Sequence, residues 1–248
     1  SMRKGWNGNF EAGYGNDDHY RAKGMANRFK NKMNLSINGT ANDNGINSNQ
    51  RIGANYSQNT QKLKYGGSIE VRENKRDSWS KRHTESFLSD NTSQFSLQNN
   101  QSDGKTSAIS ANFRFEWKLD SLTTIMYRPT FNFSKGNSNS GNFSETLNNE
   151  STPINRKEAT NHQTNDRFST NGSLQLNRKL NSKGRNIALR LYYDLDDGNS
   201  DRYSLSNTYY LKYGDSIKTL NQWIEKLDKN NKYQVQITYM EPVFTNRN

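Results

Sequence analysis

The stretch Ile187-Ala188-Leu189-Arg190-Leu191-Tyr192-Tyr193-Asp194-Leu195 decides the fold. Ile187, Leu189, Leu191, Tyr193 and Leu195 alternate with Ala188, Arg190, Tyr192 and Asp194. Successive side chains of a β-strand face opposite ways, so this spacing gives one apolar and one polar face. A helix would space its apolar residues by three and four.

The same period of two recurs in Ile109–Leu119, Met33–Ala41 and Tyr233–Tyr239. Weaker versions occupy Trp6–Tyr14, Tyr20–Ala26, Ile52–Tyr56, Leu63–Val71, Phe95–Leu97, Ile125–Phe133, Phe168–Leu176 and Tyr203–Leu211. The pattern predicts roughly twelve strands. Many reach about 9–11 residues, enough for a tilted strand to cross a bilayer. Soluble strands average about 5–6.

Composition agrees with strands apolar on one face only. Of 248 residues, 29% are hydrophobic, against about 45–50% in ordinary globular domains. The 13 Tyr and 11 Phe, with 3 Pro, argue against wholesale disorder. No run approaches the roughly 20 apolar residues of a membrane-spanning helix. With no Cys there is neither a disulfide framework nor a thiolate metal site.

Lys and Arg number 35 against 24 Asp and Glu, a formal charge of +11. The cations alternate with carboxylates and recur once or twice per strand. They read as lumen lining or as contacts with anionic lipid head groups, not as a nucleic-acid face, which needs aromatic interleaving.

Gly15-Asn16-Asp17-Asp18, Leu119-Asp120-Ser121 and Asn181-Ser182-Lys183-Gly184 carry the chemistry of hairpin turns. Arg72 to Asp90 and Lys135 to Asp166 read as long polar loops, the asymmetry expected of an outer-membrane barrel. Ile217, Leu220, Trp223, Ile224 and Leu227 sit at helical spacing, which fits either a short amphipathic helix or a structured loop.

Trp6, Tyr14, Tyr20, Trp117, Tyr127, Tyr203, Tyr209, Tyr213 and Tyr239 cluster near strand ends. They read as an interfacial aromatic girdle, with ordinary strand aromatics as the alternative. His19, His83 and His162 show no metal-ligand spacing. Asp194, Asp196, Asp197 and Gly198 read as an acidic turn, because the ligand pattern of a calcium loop is missing. No catalytic, cofactor-binding or metal-binding residues are expected, and no enzyme motif occurs.

Several segments resemble the outer-membrane β-barrel of TonB-dependent receptors. Lys4-Gly5-Trp6-Asn7-Gly8-Asn9-Phe10-Glu11-Ala12-Gly13-Tyr14-Gly15 is similar to the first barrel strand after the plug, and His19-Tyr20-Arg21-Ala22-Lys23-Gly24 to its return. Phe113-Arg114-Phe115-Glu116-Trp117-Lys118-Leu119-Asp120-Ser121-Leu122-Thr123 resembles a mid-barrel hairpin, continued by Tyr127-Arg128-Pro129. Asn177–Arg185 looks like another, and Tyr239-Met240-Glu241-Pro242-Val243 like a strand end.

The resemblance implies an all-β, antiparallel up-and-down meander. It further implies a partial transmembrane β-barrel over residues 1–248, covering the N-terminal half of a barrel without plug or TonB-contact segment. It implies a Gram-negative outer-membrane location, an uptake receptor for a scarce solute, lipid and TonB-system partners, and ligand contact through the two long loops. Open sheet edges imply self-association of the piece. The alternative is a soluble β-rich adhesin or glycan-binding module built of two packed sheets.

Overall fold

The computed structural model describes residues 4–17, 19–88, 92–182, 184–212, 214 and 216–242. Its strands are β1 (Lys4–Tyr14), β2 (Tyr20–Lys30), β3 (Met33–Asp43), β4 (Asn47–Asn59), β5 (Leu63–Phe87), β6 (Ser93–Lys118), β7 (Thr123–Leu147), β8 (Pro153–Lys179), β9 (Asn186–Tyr210) and β10 (Ser216–Met240). Each is antiparallel to the next in one sheet of order β1 to β10. The meander is all-β, with no helix among the described residues. β1 and β10 are its two edges and do not pair, so the sheet is open.

Ten strands replace the expected twelve because two pairs of segments merge. Phe95–Leu97 and Ile109–Leu119 belong to β6, and Ile187–Leu195 and Tyr203–Leu211 to β9. The expected long loops are strand as well. Arg72–Phe87 is the outer part of β5, and 135–166 holds the ends of β7 and β8 around a short turn. Here neither face is apolar, so the hydrophobic alternation vanishes while the ladder continues. Amide and hydroxyl side chains bond across it instead. Ser78 and Ser102 meet at 2.8 Å, Asn100 donates to Ser80 at 3.3 Å, Asn161 to Ser140 at 3.3 Å and Gln163 to Ser200 at 3.1 Å.

The expected helix or loop at Ile217–Leu227 is the first half of β10. Its register puts Ile217, Trp223 and Leu227 on one face and Leu220 and Ile224 on the other. An edge strand wet on both sides does not have to keep a pure apolar face. The expected acidic turn at Asp194–Gly198 lies inside β9, where Asp196 accepts two bonds from Arg167 and Asp197 stands opposite Lys229.

The sheet has no core of its own. Its accessible surface is 18184 Å², against about 11,000 Å² for a compact chain of this mass. Ala108 and Pro129 are the buried apolar side chains among the described residues. Among the described residues no second sheet packs on the first, so they do not form the paired sheets of an adhesin sandwich.

Strand length steps from 13 residues in β4 to 25 in β5. The β3–β4 hairpin reaches only as far as Asp77, whose N–H donates to Ile46 at 2.8 Å. Beyond it, Ser78–Phe87 has no partner on the β4 side.

Three aromatic rings on the apolar face each lie across from a glycine: Phe10 from Gly24, Phe113 from Gly67 and Tyr193 from Gly172. A methyl on Gly67 would meet the Asn112 carbonyl at 2.6 Å and the Phe113 ring at 2.7 Å; on Gly172 it would meet the Tyr193 hydroxyl at 2.7 Å. Glycine lets the ring cover the backbone, a pairing that pins register.

Candidate functional site

The candidate site is the sheet itself, whose two faces differ in chemistry. Cross-strand partners share a face. One face therefore gathers Leu63–Val71, Ile109–Trp117, Ile125–Phe133, Phe168–Leu176 and Ile187–Leu195 at alternate positions. Each run is nine residues, or about 30 Å of strand. Charge follows directly on the same face, with Glu73, Lys75 and Asp77 after Val71, and Lys135, Asp166 and Asp197 after Phe133, Phe168 and Leu195. Lys105 holds Glu73 at 2.9 Å and keeps its carboxyl below the usual range. An apolar band about 25 Å tall with polar borders is what a bilayer requires of a barrel's outer face.

The band crosses the ladder obliquely. Phe10, the middle of the β1 run, leads through successive partners to Gly24, Gly39, Ile52, Val71, Ile109, Phe133, Phe168, Asp197 and Lys229. Lys229 lies seven residues from Gln236, the middle of the β10 run. That is about 24 Å along the strand over about 43 Å of sheet, hence a tilt of about 30°. Barrel closure demands strands tilted in this way, typically by about 35–45°.

The opposite face is a carpet of Asn, Ser, Gln and Thr crossed by Arg and Lys. Asn112 donates to Ser68 at 2.7 Å, and Lys64 and Arg114 reach Glu116 at 2.8 and 3.1 Å. Gly66 and Gly67 thin the wall between two hollows. One, about 570 Å³, is lined by Leu35, Tyr65, Ile69, Phe113 and Phe115 on the apolar side. The other, about 700 Å³, is lined by Asn55, Asn59, Ser68, Asn112 and Arg114 on the polar side.

Trp6, Trp117, Tyr127 and Tyr239 lie on the apolar face toward the end that holds the β6–β7 turn, and Tyr14 and Tyr20 pair at the other end of β1 and β2. Tyr203 and Tyr209 lie far beyond the band; Tyr213 is outside the described residues. The histidines are not brought together: His162 meets Asn139 at 2.6 Å and His83 packs on Phe95. No metal-binding group of three side chains occurs among the described residues.

Connections are short at both ends of the strands, against the expected contrast of turns and loops. In the β6–β7 turn, Asp120 accepts the N–H groups of Leu122 and Thr123, both at 2.7 Å. These bonds, that of Leu122 foremost, lower its carboxyl pKa. A lowered folded pKa stabilises above the unfolded aspartate value and is lost as pH falls through the folded one. Asp120→Asn is therefore expected to lower the denaturant midpoint at pH 7. The gap to wild type should close from about pH 4 downward; a gap unchanged at pH 2 contradicts this role.

No protein-family model matches this chain, and no curated protein matches it. Among solved structures, it is similar to the ferric yersiniabactin uptake receptor FyuA from Yersinia pestis, at 11% identity and a TM-score of 0.29. The match covers 98% of this chain and 46% of that one, so the chain spans less than half the receptor's length.

Proposed function

We propose that this sheet is a wall segment of an outer-membrane β-barrel of the TonB-dependent receptor kind, serving uptake of a scarce solute. The apolar face meets lipid and the polar face lines the passage. The observation that carries the reading is the nine-residue apolar band, oblique to the ladder and closed off by charge. A sheet exposing that band to water would be unfavourable by about 25 cal/mol per Å². TonB coupling and an outer-membrane location belong to the same reading. We assign no catalytic role.

The test is depth-dependent quenching by brominated lipids in single-tryptophan variants refolded into vesicles. Trp117, at the rim of the band, is expected to be quenched. Trp79 and Trp223, both on the outer strand extensions, are expected to be spared. Equal quenching of all three, or none, sinks the reading, as does a monodisperse folded monomer in detergent-free buffer.

A further inference from the structure

Charge divides by face. Followed through the registers, the polar face of β1–β10 carries 18 Lys or Arg and 6 Asp or Glu, a balance of +12. The apolar face carries 10 and 11, a balance of −1. The +11 of the chain therefore resides on the polar face. Four of its carboxylates are engaged: Glu70 by Arg51, Glu116 by Lys64 and Arg114, Asp196 by Arg167 and Asp228 by Lys226.

Four of the polar-face cations that close no ion pair among the described residues fall in neighbouring cross-strand rows: Arg21 and Lys23, within the Tyr20–Ala26 run of β2, and Arg72 and Arg76, just past the Leu63–Val71 run of β5. Lys23, Thr40, Arg51 and Arg72 form one cross-strand row; Arg21, Asn42, Asn49 and Asn74 form the next. Glu11 lies opposite Lys23 without closing an ion pair. Arg51 and Arg72 stand directly opposite each other, an unfavourable like-charge pair. A hollow of about 360 Å³ at this place is lined from both faces, by Arg21, Lys23, Thr40 and Asn42 and by Ala22 and Ala41. β2 and β5 are about 14 Å apart, so one small anion cannot bridge them and a multivalent one can. No aromatic side chain stands in these two rows, so bases would find no stacking platform.

We infer that this area binds a solute carrying several carboxylate or phosphate groups, held by guanidinium forks and asparagine amides. Its role in uptake rests on the proposed function; the binding itself does not.

The test titrates the refolded chain with inositol hexakisphosphate, with citrate as the carboxylate probe and myo-inositol as the neutral control. Arg21→Gln with Lys23→Gln, and Arg72→Gln with Arg76→Gln, are each expected to weaken hexakisphosphate binding about tenfold. Lys75→Gln with Lys105→Gln, on the other face, is expected to change it less than about twofold. Citrate binding lost in the same variants extends the site to carboxylates. Equal weakening by all three pairs, or no binding to a chain folded by circular dichroism, overturns the inference. If Trp117 is quenched by lipid but no polyanion binds, only this inference fails. If polyanion binds without quenching, only the membrane reading fails.

Discussion

Leu191→Arg is expected to cost about 2–4 kcal/mol of folding stability in a bilayer. Leu191 is the middle residue of the Ile187–Leu195 run and faces outward between Leu174 and Val235. On the proposed function, its replacement would put a guanidinium near the middle of the hydrocarbon, where no cross-strand neighbour on this face offers a charge. Leu205→Arg is the internal comparison, on the same strand and face but beyond the charged border. It is expected to shift stability by less than about 1 kcal/mol. Urea unfolding of vesicle-embedded protein reads both. Equal costs would mean that position along the strand does not matter, which a band of membrane height forbids.

Gly67→Val is expected to cost about 1–3 kcal/mol through overpacking. Two obstacles meet the new side chain: the Asn112 carbonyl, which is fixed in the ladder, and the Phe113 ring that covers the glycine. Gly141→Val separates this from a general effect of β-branching, since nothing lies within 4 Å of a Cβ there. That variant is expected to be neutral or slightly stabilising, in line with the strand preference of valine. Similar losses in both would show that the aromatic cover over Gly67 contributes nothing.

These two predictions concern the part of the chain that sequence reveals best. Lipid demands strict alternation, so Ile187–Leu195 and Ile109–Leu119 announce themselves. Beyond the charged border water wets both faces and no such demand exists. Arg72–Phe87 and 135–166 therefore look like loops, although serine and asparagine ladders hold them as strands. The spurious helical spacing of Ile217–Leu227 has the same origin, in an edge strand exposed along its whole length.

The cation cluster escaped a linear reading for another reason. Arg21 and Lys23 are about fifty residues from Arg72 and Arg76 in sequence. Only the β2-to-β5 registers put them on one face and in neighbouring rows. Parity within each strand is legible in sequence; which parity faces its neighbour's is set by the turns.

The step between β4 and β5 gives such a wall a direction. β5 rises about 33 Å past the top of the β3–β4 hairpin, from Asp77 to Phe87. On one side stands a palisade of six tall strands; on the other lies a sill four strands wide. On the proposed function, a diffusing solute would be screened by the palisade and would meet the passage sideways, over the sill. Below that sill, on the polar face, stand Arg21 and Lys23 of β2 with Arg51, Arg72 and Arg76 of β4 and β5, so on the proposed function the shape of the rim and the placement of charge favour the same approach.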